Sequence, residues 1–288
     1  MEYVVLAAKR TDLPVHSAHA FIKFAGAKNK LLPELLSRVP SPFRRYHEPF
    51  VGGGALFWAL ADAGRLQKSP VLGDTNALLV RTYQSIQRDV SCVIKRLEGM
   101  PNSEDDYYRI RDEDPSTMTD SDAAAWFLYM NKLCFNGLFR VNKQGRFNVP
   151  YAKCPRRKVF DELNLRACAR VLRETCAVIR CASFESVLAD VELGDFLYMD
   201  PPYEPVSKTS NFTSYTTEGF KLADQERLRD CVYALKRRGV HVLLSNSTAP
   251  QVRDLYEGRG FNIEVVLAPR SINSKGDRRG DVEELLIS

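Results

Sequence analysis

The chain of 288 residues has no run of 18 apolar side chains, so nothing in it reads as a membrane-spanning helix. It has no Cys-x-x-Cys pair, and its four histidines fall at no metal-ligand spacing from its seven cysteines, so no metal site is expected. An odd cysteine number at irregular spacings argues against a disulfide framework and reads as reduced thiols in a cytosolic protein. The first 21 residues lack the basic start of a secretory leader. Neither internal repeats nor low-complexity segments occur. Charge of one sign is scarce too: 41 Lys and Arg face 36 Asp and Glu, a net of +5. At 44% hydrophobic and 27% charged residues, disordered, collagen-like and coiled-coil classes are excluded. The length suits one large domain, or a core carrying an insertion, with no need of covalent staples.

What is present is an α/β alternation with an interruption. A helix is expected over 28–38, where Leu31, Leu32, Leu35 and Leu36 share a face. A strand should end at Glu48-Pro49-Phe50, followed by Val51-Gly52-Gly53-Gly54, a helix over 55–61 and a strand over 70–72 that runs into Gly73-Asp74. Strand, glycine loop, helix, strand, acidic residue is half of a nucleotide-binding unit. Helical periodicity then takes over at 78–97, 104–111 and 122–133. A loop over 134–158 and a helix over 161–173 follow. Strands return at 177–181, 195–199, 240–245, 262–267 and 282–287, with a helix over 217–238 that Gly239 stops.

The sharpest local signal is Asp200-Pro201-Pro202-Tyr203, directly after the apolar strand residues 196–199. In open α/β sheets the carboxyl edge of the strands is where ligands bind. A plain turn would use similar residue types. The tetrapeptide should nevertheless arise in only about one chain in a thousand at average residue usage. Two prolines remove backbone donors and stiffen the turn. That leaves a carboxylate and carbonyls, all acceptors, beside a tyrosine ring. Such a set suits an exocyclic amine on a heteroaromatic base. Accepting its two hydrogens, on Asp200 and the Pro201 carbonyl, would localise the nitrogen lone pair and make it nucleophilic. Tyr203 would stack on the base, which must leave the duplex to reach such a pocket.

The glycine loop allows close approach of backbone to a ligand at Phe50, Gly52 and Gly54. Asp74, 22 residues after Gly52, lies where a carboxylate can bind ribose hydroxyls. Sites for NAD and for S-adenosylmethionine share this logic, and Gly-Gly-Gly-Ala departs from G-x-G-x-x-G, which disfavours NAD.

A third signal is local charge. Residues 134–158 hold seven basic residues and no acidic one, interleaved with Phe135, Phe139, Phe147, Tyr151, Asn136, Asn142 and Asn148. Basic, aromatic and amide side chains together serve phosphate contact and base-edge readout. Arg140 is the residue best suited to a guanine edge. A second basic loop spans 270–279, and Lys23, Lys28, Lys30, Arg44 and Arg45 form an early group.

With these motifs assembled, the chain resembles the Dam-type DNA adenine-N6 methyltransferases. The matching segments are Phe21-Ile22-Lys23-Phe24-Ala25-Gly26-Ala27-Lys28, Glu48 to Ala55, Gly73-Asp74-Thr75-Asn76, Phe135-Asn136-Gly137-Leu138-Phe139-Arg140 and Phe147-Asn148-Val149-Pro150. Asp200-Pro201-Pro202-Tyr203, Asn211-Phe212-Thr213-Ser214-Tyr215, Leu244-Ser245-Asn246 and Arg270-Ser271-Ile272 complete the set, in the family's order, from about residue 20 onward. The resemblance implies an α/β fold: a Rossmann-like methyltransferase core, 21–76 and 161–288, with a mostly helical target-recognition insertion over 77–160. Residues 1–20 form an extension with no counterpart. It implies S-adenosyl-L-methionine as cofactor, with Phe24 and Lys28 touching it, Asp74 on its ribose, and Asp200 beside both its methionyl part and the target amine. Lys23, the segment from Asn136 through Leu138 to Arg140, and Pro150 match positions that touch the DNA site, and Asn148 lies in the same motif. Double-stranded DNA is the implied partner, GATC the implied target, and a cognate restriction endonuclease a further partner compatible with the family. The chain departs from the family at Phe24, usually Trp, and at Ala27, usually Gly.

Cytosine-N4, RNA adenine or protein glutamine methylation would use the same amine logic. The cytosine branch usually carries Ser in place of Asp200, and the basic segments argue for duplex DNA. A catalytically silent DNA-binding homologue would not need the intact Asp200-to-Tyr203 motif.

Overall fold

The structure, a computed structural model, describes residues 17–24, 26, 28–67, 69–142, 144–203, 220–269 and 281–288. Asn211 to Tyr215, the basic loop 270–279, Lys143 and the expected helix start at 217 lie outside the described residues.

Seven strands form one sheet in the order β3-β2-β1-β4-β5-β7-β6. They are β1 (Tyr46–Glu48), β2 (Val71–Asp74), β3 (Val178–Cys181), β4 (Phe196–Met199), β5 (His241–Ser247), β6 (Ile263–Pro269) and β7 (Asp281–Ile287). The first five run parallel, and β7 is antiparallel to both β5 and β6. Strand order reverses between β1 and β4, so a crevice opens beyond their carboxyl ends. Those ends carry Glu48-Pro49-Phe50 and Asp200-Pro201.

Burial on both faces explains why β4 reads as an unbroken apolar run. Phe196 and Tyr198 of β4 enter one core, while Leu197 and Met199 enter the other. Leu243 of β5 and Leu286 of β7 join the first core, and their sequence neighbours Leu244, Leu285 and Ile287 the second. The first core is closed by α1 (Leu32–Ser37), α2 (Ala55–Asp62), α3 (Ala77–Glu98), α5 (Asp120–Leu133) and α6 (Glu162–Glu174), with α4 (Glu104–Arg111) at its edge. The second is closed by α7 (Phe184–Leu188), α8 (Leu222–Arg237) and α9 (Pro250–Tyr256).

Helix α3 lies between the sheet and α5. It packs along α5 on one side and against α6, β2 and β3 on the other. Sequence periodicity reads it as one helix over 78–97, but Asp89 breaks it, with φ −151° and ψ 81°. The Asp89 carboxylate accepts from the amides of Ser91 and Cys92, an N-cap placed inside the run. At its start, Asn76 accepts from the amides of Leu78 and Leu79. Helix α5 is buried from Ala123 to Asn131 because α3 covers it along its length.

Two short helices, α7 and α9, go beyond the sequence expectation; five and seven residues are too few to show a 3.6 period. Structure also appears where a loop was expected over 134–158. A 3₁₀ turn (Phe135–Gly137) is followed by a hairpin in which Val141 bridges Phe147. Gly145, at φ 75°, supports its turn. Cys134 bridges Tyr151 below it. No helix among the described residues is long and apolar enough to cross a membrane.

Candidate active site at the carboxyl ends of β1 and β4

A cleft of about 500 Å³ opens at the crevice, between the glycine loop, the Asp200 turn and the start of α7. Phe24, Lys28, Phe50, Gly52, Gly54, Asp74, Asp200, Pro201, Pro202 and Tyr203 all line it. Every residue expected for cofactor or catalysis is thus brought to one place, from segments as far apart as 24 and 203.

The loop after β1 is held from below. Val51 donates to the Gly73 carbonyl, Tyr83 to the Gly52 carbonyl and the Trp58 indole to the Gly53 carbonyl. Gly52 (φ 45°) and Gly54 (φ 65°) adopt left-handed backbone. A Cβ at Gly52 would sit 3.0 Å from the Phe24 ring, so glycine is what lets Phe24 lie on the loop. Close approach here is by the chain's own ring as well as by any ligand.

Asp74 accepts from the Gly52 amide at 3.2 Å and from the Asn76 amide at 2.9 Å. Burial raises its carboxyl, and those backbone donors oppose the shift. The Asn76 side chain caps α3 with its oxygen, and its buried amide nitrogen at the cleft wall has no partner among the described residues.

Asp200 takes part in a compact charge cluster. Lys28, only 5% exposed, sets its ammonium 3.0 Å from the Asp200 carboxylate and 3.5 Å from that of Glu284 on β7. The ammonium also donates to the Gly26 carbonyl at 2.9 Å and lies 4.5 Å from the Tyr203 ring centre. The Tyr203 hydroxyl donates to Glu284 at 2.7 Å. Burial pushes the Asp200 carboxyl up to about 6; Lys28 opposes this and Glu284 reinforces it. Glu48, at the cleft floor, is held well above the carboxylate range by burial, against the Tyr46 hydroxyl bonded to it. The Asp200 turn is braced from behind: Gln225 donates to the Pro202 carbonyl at 3.3 Å, and Asn246 donates to Gln225 at 3.0 Å.

The expected DNA residues gather outside this cleft. Lys23, Asn136, Arg140 and Pro150 are exposed, and Leu138 and Asn148 are half-buried. Arg140 and Asn148 face each other across the hairpin, the guanidinium donating to the amide oxygen at 2.7 Å. Strand alternation buries Phe147 and Val149 and turns Asn148 outward. Arg157 is committed to structure, donating to the Lys132 carbonyl at 2.9 Å, while Arg146, Lys153, Arg156 and Lys158 are exposed.

Several site residues went unread in the sequence. Glu284 reaches the cluster only through the pairing of β7 with β5, opposite Ser247. Phe184 and Phe220 make a ring cluster with Phe50, with centres 5.6 to 6.1 Å apart at the cleft mouth. The sequence held no signal for Glu284, since β7 begins with three acidic residues among its first four.

Comparison with known proteins gives this geometry a family. Residues 24–272 match the model of the D12 class N6 adenine-specific DNA methyltransferases. A type II methyltransferase of Methanocaldococcus jannaschii is 39% identical over 286 residues, covering 93% of this chain and 97% of that protein. A type II methyltransferase of Lactococcus lactis subsp. cremoris is 38% identical, covering 93% and 94%. A DNA adenine methylase of Vibrio cholerae is 37% identical, again covering 93% and 94%. The chain belongs to the D12 class of N6 adenine-specific DNA methyltransferases and is a Dam-type enzyme that methylates adenine in DNA.

Proposed function

We propose that the chain methylates N6 of adenine within GATC in duplex DNA, with S-adenosylmethionine as donor and the target base flipped into the Asp200-to-Tyr203 pocket. The observation that carries this is the single cleft in which Asp74 and Asp200 face a glycine loop roofed by Phe24. The cleft fits the cofactor chemically: it offers the Asp74 and Asp200 carboxylates for hydroxyl and cationic groups, and an amide on Asn76 that is unpartnered among the described residues. Phe24, Lys28, Phe50, Gly52, Gly54, Asp74 and Asp200 would hold it. When bound, S-adenosylmethionine supplies an electrophilic methyl group on a sulfonium centre.

The chain's own residues prepare the acceptor. Asp200 and the Pro201 carbonyl take the amine hydrogens, which localises the lone pair on N6. Lys28 keeps Asp200 ionised against its burial, and Gln225 fixes the turn. Tyr203 offers its ring to the base. The proton shed by the methylated amine passes to solvent. Orientation within the cleft supplies much of the rate.

In this reading residues 21–76 and 161–288 form the transfer core, and 77–160 read the site with Lys23, Asn136, Leu138, Arg140, Asn148 and Pro150. The adenine methylase names of the Vibrio relative and of one from Escherichia coli support adenine in DNA as the methyl acceptor. The type II names of the Lactococcus and Methanocaldococcus relatives favour a cognate endonuclease as partner. The enzyme would work in the cytoplasm, on the nucleoid. The test is methyl transfer from labelled S-adenosylmethionine to two duplexes that differ only in GATC against GTTC, with nucleoside mass spectrometry of the product. N6-methyladenine in the GATC duplex alone is expected. Equal methylation of both overturns the target, and no transfer to either overturns the substrate.

A further inference from the structure

The segment entering the first core passes two helices, and each grips it with one asparagine. Asn164 of α6 accepts from the His19 amide and donates to the His19 carbonyl, both at 3.0 Å. Asn131 of α5 does the same to Lys23, accepting from its amide at 2.8 Å and donating to its carbonyl at 2.7 Å. Both side chains are buried, 7% exposed for Asn131 and 5% for Asn164. The grips differ in one respect. The Asn131 amide also reaches the Gly137 carbonyl at 3.4 Å, in the turn that displays Asn136 and leads to Arg140. Gly137 (φ 67°) lies so close to Lys23 that a Cβ there would come within 2.6 Å of the lysine Cβ.

The consequence lies in the next residue. While Lys23 is fixed against the reading turn, Phe24 lies on Gly52 in the cleft, and Lys28 follows within four residues at Asp200. One buried amide therefore sets the position of the reading turn relative to the segment that lines the cleft. We propose that Asn131 is a positioning residue that couples site discrimination to cofactor placement, resting on the reading of 135–140 as the DNA-contacting turn. Asn164, with the same chemistry on the same segment but, among the described residues, no hydrogen bond to the turn, is its internal control.

The experiment treats unmethylated plasmid with S-adenosylmethionine and each full-length variant, and maps N6-methyladenine by single-molecule sequencing. Binding of S-adenosylhomocysteine to DNA-free enzyme is measured by calorimetry and stability by thermal melting. For Asn131→Ser, the ratio of methylation at the preferred site to single-mismatch sites should fall by about tenfold, and cofactor-product affinity by severalfold, as buried amide contacts are lost. Asn164→Ser should melt lower with both quantities unchanged. If Asn131→Ser merely melts lower, with ratio and affinity as in wild type, the proposal is overturned. Should Asn131→Ser fail to fold, Asn131→Asp, which retains the acceptor for the Lys23 amide, is read in the same way. Arg140→Ala separates the two claims: an unchanged site pattern there removes the reading turn and this proposal with it. A changed pattern there beside an unchanged Asn131→Ser overturns this proposal alone.

Discussion

The cleft and the hairpin beside it are built on opposite terms. In the cleft, Asp74 is held by two backbone amides, Asp200 by Lys28, and Lys28 by two carboxylates and a carbonyl, all with little exposure. On the hairpin, Arg140 is exposed and bonds to Asn148 alone among the described residues. Buried polar groups must be satisfied by the fold, because an unmet one costs on the order of 1–3 kcal/mol. Exposed ones are satisfied by water and exchange it for a partner. On the proposed function, the contrast means that the transfer chemistry is prepared before DNA arrives and that the reading surface is completed by it.

Removing a cleft group should therefore cost chemistry and spare binding. Asp200→Ala should lower the single-turnover rate by at least about 10²–10³-fold, the scale of losing a preorganised polar group. DNA affinity in a filter-binding assay should stay within severalfold. The pH-rate profile should show the same group. With Asp200 raised to about 6 by burial, acid protonates the acceptor, so the rate falls as pH drops below about 6 and is level above it.

On the hairpin the expected effect is discrimination. Arg140→Ala should lose about 1–3 kcal/mol of preference at one base pair, measured by competition between duplexes, with an unchanged melting temperature. The subtlest change lies where cleft and sheet meet. Glu284→Gln keeps an oxygen for the Tyr203 hydroxyl but removes a negative charge beside Asp200. The acid limb of the rate profile should then move to lower pH, with a modest loss of maximal rate.

The two regions also differed in how far the sequence disclosed them. The strands flanking the crevice were legible because β1 and β4 are buried on both faces and end in unusual residue sets. Asp74 was found through its spacing from the glycine loop. Glu284 was not, because a glutamate in a terminal strand reads as a solvent-facing residue until the β5–β7 register carries it to Lys28. The break at Asp89 was hidden because the apolar period continues through it: Ile86, Val90 and Val93 are all buried. The hairpin over 140–148 was read as loop since Phe147 is the only buried side chain among its described residues.

The separation of the two regions is the central claim, and one plasmid tests it. N6-methyladenine is mapped on it after treatment with wild type, Asp200→Ala and Arg140→Ala enzyme. The account predicts that Asp200→Ala, given the reaction time at which wild type is just complete, leaves at most about a hundredth of the wild-type modification. It predicts, for Arg140→Ala, a wild-type-like total of methyl groups spread over additional sequences. Methylation by Asp200→Ala near the wild-type level, or loss of all methylation in Arg140→Ala, would contradict it.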